Sequence, residues 1–281
     1  MSRRFLNLVC RDYTASDGLL YSITRLDASQ LFYKSNTAAS RKKNGSKQAP
    51  VTSSIADIPE IRRLPSPTFS FQPFRSKMYQ IIKGVDVFAP FGAGGDGGKI
   101  LCADGAGYAA AFDMASRSML GMPTMNAPKG PMHVTISSIA GTTVFVSPDA
   151  AAAAEEEGSA EGGGHVPELG VWLGLSAQNP YHLCAISSLD PPVVRHVWSD
   201  FDPPESWWLL EHALISLGSG RFCTAKFFDV SEDIKDDDAY ETAVVFTGVE
   251  VLRCDDESVG GLKMIKHKSK CMTDLDIISV L

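Results

Sequence analysis

The stretch 92-GAGGDGGK-99 holds the residues best suited to a recognised chemistry, because Gly92, Gly94 and Gly97 keep the G-x-G-x-x-G spacing and Lys99 follows a glycine. A phosphate would be held there by backbone N–H groups at the start of a helix. No helix is expected after Lys99. The following residues, ILCAD-GAG-YAAAFD, read instead as two strands of a hairpin around a glycine turn. The stricter phosphate-loop pattern also fails, with Ala93 in place of its first glycine and Ile100 in place of its Ser or Thr. A loop between strands, with no bound cofactor, is the expectation.

Other reactive types are scattered. His133, His165, His182, His196, His212 and His267 show no H-x-x-x-H or H-x-E spacing, so no metal site is expected. Gly218-Ser219-Gly220 lacks the spacing of a G-x-S-x-G nucleophile elbow, and no catalytic residue is assigned. The remaining candidate is a binding one. Trp207 and Trp208 follow a Pro-Pro turn in 203-PPESWWLLEH-212, where one ring could face outwards as a partner-binding anchor or both could pack in the core. In 263-KMIKHKSK-270, Lys266, Lys268 and Lys270 recur every second residue, which on a strand is a charged face protecting a sheet edge.

These residues need elements to hold them, and the elements repeat. Residues 8–27, LVCRDYTASDGLLYSITRLD, and 171–190, VWLGLSAQNPYHLCAISSLD, share one layout of strand, polar turn and strand, with Leu20 over Leu183, Ile23 over Ile186 and Leu26 over Leu189. A shorter copy, 100-ILCADGAGYAAAFD-113, ends alike. Asp27, Asp113 and Asp190 therefore read as structural turn residues whose carboxylates accept from the backbone N–H two residues on. After each, a further strand is expected, at LFY 31–33, MLGM 119–122 and VVRHVW 193–198. More strands read at 142–147, 220–228, 241–254 and 261–268, while 206-SWWLLEHALISL-217 fits strand or helix. Repeated meanders between Gly/Pro turns describe an all-β propeller.

Three segments interrupt the pattern. Residues 34–60 and 148–165 read as disordered insertions in a single domain spanning 1–281, because neither can bury enough apolar surface to offset the entropy of ordering. Residues 231–241 read as an acidic hairpin loop. The net charge of −7 argues against nucleic acid or an anionic membrane as partner. The opening MSRRFLNLVC is too short for a signal peptide, and no run is long enough for a membrane span. Six dispersed cysteines without a C-x-x-C pair suggest free thiols in a reducing, intracellular setting, cytoplasmic or nuclear.

The phrase 112-FDMASRSMLGMPTMNAPK-129 resembles the end of a kelch blade. Together with 3-RRFLNLVCRD-12, 21-YSITRLDASQLFY-33, 63-RLPSP-67, 168-ELGVWLGLS-176, 216-SLGSGRFCTAKFF-228, 247-TGVEVLRC-254 and 262-LKMIKHKS-269, it resembles a family of kelch-like proteins of unknown function from cereal grasses. The resemblance implies a kelch-like propeller and carries no catalytic motif. Between Ser147 and Glu168 the chain departs from that family, having the alanine, glutamate and glycine tract where blade sequence is expected. Blades of roughly 50 residues leave room for about four to five, in an incomplete or open ring whose exposed strand edge would invite self-association. The function expected is a non-catalytic scaffold for an unknown protein partner. The alternatives are an enzyme using a central propeller pocket and a module binding a glycan or small ligand.

Overall fold

The computed structural model describes residues 3–14, 18–33, 58–72, 87–91, 98–103, 107–124, 134–140, 143–148, 160–176, 181–189, 192–231, 241–254, 261–273 and 277–281. Within them the chain is all β, and one short 3-10 turn, Ala28–Leu31, is the only helical element. Eighteen strands make four four-stranded sheets and one two-stranded sheet. The fold is a β-propeller type with four complete blades.

Two compact units carry these sheets. The first comprises Met1–Leu26, Pro65–Glu155 and Asp276–Leu281. Its opening blade joins β1 (Phe5–Thr14), β2 (Gly18–Asp27), β3 (Phe69–Phe71) and β18 (Ile277–Val280) in the order β18-β1-β2-β3. One blade thus takes strands from both ends of the sequence, with Leu8 opposite Val280. The next blade is a meander of β4 (Val87–Phe91), β5 (Lys99–Ala103), β6 (Ala109–Asp113) and β7 (Ser118–Gly121). The core of this unit gathers Val9, Tyr21, Ile23, Phe71, Phe88, Ile100 and Phe112. A two-stranded sheet of β8 (Val134–Ala140) and β9 (Thr143–Pro148) completes it.

The second unit comprises Asp27–Leu64 and Glu156–Leu275. One of its blades runs β10 (Ala160–Val166), β11 (Val171–Ser176), β12 (Leu183–Leu189) and β13 (Pro192–Trp198). The other runs β14 (Trp208–Gly218), β15 (Arg221–Asp229), β16 (Thr242–Arg253) and β17 (Leu262–Thr273).

The internal repeat is the central hairpin of a blade. Strands β1–β2, β5–β6 and β11–β12 each occupy the second and third places of their sheets. The turn aspartates behave as their spacing implies wherever they are described: Asp27 accepts from Ser29 N–H at 2.9 Å, and Asp113 accepts from Ala115 and Ser116 N–H at 2.9 and 3.1 Å. Asp190 lies outside the described residues. The two backbone donors at Asp113, Ser116 first, hold its carboxyl below the ordinary value of 3.8. A carboxylate depressed in the folded state stabilises above its unfolded pKa and loses that contribution as the pH falls through the folded one. Asp113→Ala should therefore lower the melting temperature near neutral pH, with the difference shrinking below pH 3.8. A melting curve unchanged near neutrality would contradict this role.

Four expectations are corrected. LFY at 31–33 is not a strand, because Leu31 closes the 3-10 turn and the neighbour of β2 is β3, far along the chain. Residues 160–165, expected inside a disordered insertion, belong to β10, where Ala160 pairs with Ser176 and His165 with Trp172. At the other insertion, residues 34–57 are outside the described set, but Ile58 is buried and Glu60 bridges to Cys271. Finally, Lys266 does not share a face with Lys268 and Lys270. A bulge sets Thr247 opposite Ser269 but Val249 opposite Lys266, so one extra residue of β17 reverses the alternation.

That reversal lets the chain after β2 dock on β16 and β17. Gly248 permits it, since a Cβ there would lie 2.6 Å from the Leu31 carbonyl oxygen. Lys270 Nζ donates to Gln30 Oε1 at 2.8 Å, and the Lys268 ammonium lies 5.2 Å from the Tyr33 ring centroid. His267 is buried beside Phe32, its Nδ1 accepting from Tyr33 N–H at 3.3 Å and its Nε2 lying 3.3 Å from Glu250 Oε2. Those contacts define a neutral imidazole that donates from Nε2. Burial pushes its pKa below 6.5, outweighing the attraction of Glu250, while Arg221 and Lys268 push the same way as burial. A histidine depressed in the folded state stabilises above its unfolded pKa and loses that contribution as acid is added. Stability should fall as the pH drops below 6.5, and His267→Gln should flatten this slope in urea titrations. An equal slope in the variant would assign the titration elsewhere.

Candidate functional site: a pinned turn that presents Trp208

Between β13 and β14 the chain runs Ser199-Asp200-Phe201-Asp202-Pro203-Pro204-Glu205-Ser206-Trp207. Two prolines and no regular ladder would leave such a link loose, so its order must come from side chains. Asp200 supplies the first anchor. It is fully buried, and Oδ1 accepts from Lys226 Nζ at 3.0 Å and from Leu183 N–H at 3.2 Å, while Oδ2 accepts from the Thr224 hydroxyl at 2.9 Å. Lys226 is itself only 1% exposed. The carboxylate ties the turn to β12 on one side and to β15 on the other.

Thr224 and Lys226 reach the same carboxylate because residues two apart on a strand share a face. The same face carries Phe222 and Phe228. Phe222 joins Leu173, Leu175, Leu183 and Val249 in one apolar cluster, whereas Phe228 joins Phe201, Val245 and Cys271 in another. The ion pair is thus flanked by two apolar clusters, where water cannot compete for its partners.

The second anchor is Trp207, whose ring packs 5.3 Å from Phe228 and 6.3 Å from Phe201 between centroids. Its N–H closes the turn on the Pro204 carbonyl at 3.1 Å. Alternation then turns the next side chain the other way. Trp208 is 74% exposed, and Leu210, also on β14, is 58% exposed. The stretch 206–217, open to strand or helix on sequence, is strand from Trp208 onward. Of the two tryptophans, one is a core staple and the other an exposed ring on a rigid strand.

His182 flanks the anchor, with Nδ1 4.0 Å from Asp200 Oδ1 and Nε2 3.6 Å from Asp202 Oδ1. Its pKa lies below the ordinary value because burial outweighs the two carboxylates. Burial likewise lowers that of Lys266, whose ammonium lies 5.9 Å from the Phe201 ring centroid. Neither Asp200, Lys226 nor His182 was singled out by sequence motifs. A signal existed in 221-RFCTAKFFD-229, where a lysine two residues from a threonine in an apolar strand requires a buried acidic partner.

The glycines 92–97 lie outside the described residues, but Lys99 opens β5 and pairs with Asp113 on β6, so a strand follows the loop. Among the described residues, no group of three or more His, Cys, Asp or Glu side chains is arranged to hold a metal ion. No helix there is long and apolar enough to cross a membrane.

A family described as "Protein of unknown function (DUF1668)" matches residues 3–161 and 157–272, which together span nearly the whole chain. The chain belongs to the DUF1668 family. The two matched stretches meet at residues 157–161, inside the tract that separates β9 from β10. No curated protein and no solved structure matches this DUF1668 chain. Its blades and its pinned turn are therefore what can be set against function.

Proposed function

We propose that this protein is a non-catalytic interaction scaffold in which the blades hold the 199–212 segment rigid and Trp208 anchors a protein partner. The observation that carries the reading is the split between neighbours: Trp207 is packed against Phe201 and Phe228, whereas Trp208 is 74% exposed. A large rigid aromatic side chain offers contact area at a low entropic cost, which is why tryptophan dominates binding hot spots. Asp200 adds support for a non-catalytic role, since its oxygens are occupied by Lys226, Thr224 and Leu183 N–H and it acts as a fastening. Kinship with kelch-like proteins of cereal grasses fits the repeated central hairpins and their turn aspartates. An intracellular setting fits the free cysteines, five of which are buried.

The test is quantitative capture of partners from the source tissue by tagged wild-type protein and by Trp208→Ala, read by mass spectrometry. The scaffold reading expects at least one reproducible partner that is depleted with the variant. Identical partner sets for the two proteins would remove Trp208 from the interface.

A further inference from the structure

We infer that the surface around Trp208 receives a cationic peptide segment, one that lays an arginine or lysine side chain over the exposed indole. This inference rests on the scaffold reading and names the chemistry of its partner. It starts from the end of the blade at which β14 begins. There Trp208 pairs with Asp229 of β15, and Asp229 pairs with Thr242 of β16. Residues directly opposite on paired strands share a face, so the Asp229 carboxylate stands beside the indole.

Glu205 is exposed three residues before Trp208, and Glu241 is exposed immediately before Thr242. The described residues at this end of the sheet, 205–210, 227–231, 241–244 and 271–273, include these three acids and no Lys, Arg or His. The sequence joining the ends of β15 and β16, residues 232–240, has five further acids and one lysine. Trp208 and Leu210 are thus apolar surface in a field of one sign.

An occupant of this surface must supply positive charge as well as apolar contact. A guanidinium or ammonium over an indole face gains from the ring quadrupole, and tryptophan is the best such acceptor. The carboxylates speed encounter and repel acidic partners. Nucleic acids and anionic lipid surfaces are disfavoured for the same reason. A long basic side chain also matches Leu210, because its methylenes can lie on apolar surface while its charged head reaches the acids.

Fluorescence anisotropy with a labelled nona-arginine peptide tests this, with nona-glutamate as the opposite-charge control. Nona-arginine should bind in low-salt buffer and nona-glutamate should not. Trp208→Ala should weaken binding ~5-fold, the ratio expected for loss of one exposed cation–π contact. The pair Glu205→Gln with Glu241→Gln should weaken it by a similar factor or more. The charge-matched pair Asp12→Asn with Glu168→Gln, both exposed and away from this end of the blade, should leave affinity within ~2-fold. Equal losses in the two charge-matched pairs, or an unaltered affinity in Trp208→Ala, would reduce the binding to diffuse attraction and overturn the inference. So would failure of nona-arginine to bind. Trp208-dependent capture from tissue alongside any of these results would leave the scaffold in place and remove only its cationic partner.

Discussion

Lys226→Met should destabilise the protein by about 3–5 kcal/mol in chemical denaturation, the cost of stranding one member of a buried ion pair. Asp200 has no route to water, being fully buried between two apolar clusters, and losing Lys226 leaves its carboxylate with only Thr224 and Leu183 N–H. Methionine keeps most of the volume, so a cavity does not account for the loss. The double variant Asp200→Asn with Lys226→Met should recover a large part of it, because removing both charges removes the stranded one. A Lys226→Met variant within ~0.5 kcal/mol of wild type would show that the pair does not hold the turn.

The two adjacent tryptophans should separate just as clearly. Trp207→Ala should cost about 2–3 kcal/mol, less than a fully buried tryptophan because the ring is only partly enclosed. Trp208→Ala should change stability by no more than ~0.5 kcal/mol, as is usual for an exposed side chain away from special features. Partner capture should show the reverse contrast, lost in Trp208→Ala and retained in folded Trp207→Phe. Comparable destabilisation by the two alanine variants would mean that Trp208 packs against the protein.

Much of this fold could be read from sequence because its repeating unit is local. In each hairpin, period-two apolar runs flank a short turn, and an aspartate such as Asp113 marks where the chain folds back. Pairing across long stretches carries no such local mark. Nothing near Asp27 indicates that Phe69–Phe71 will take the next place in the sheet, and LFY at 31–33 has strand composition although it is recruited to cover Gly248. Composition misleads at 160–165 for a related reason. The sequence AEGGGH has low strand propensity, yet the free edge of β11 supplies backbone partners that override it.

The site divides along the same line. That one of Trp207 and Trp208 should face outward followed from alternation, whereas which one depended on Phe201 and Phe228 lying beneath Trp207. The Asp200–Lys226 pair joins residues 26 positions apart on different blades, and no spacing rule brings them together. The bulge opposite Gly248 is equally silent in sequence, so the regular spacing of Lys266, Lys268 and Lys270 suggested one face where there are two.

The claim that Trp208 is a contact point is tested most directly by placing a photo-crosslinking amino acid there, irradiating the protein in extract from its source tissue, and identifying the adducts. The account predicts a discrete covalent adduct with a protein partner from position 208, reduced by excess unlabelled wild-type protein and absent when the same group replaces exposed Glu168. No adduct from position 208, or the same adducts from both positions, would contradict it.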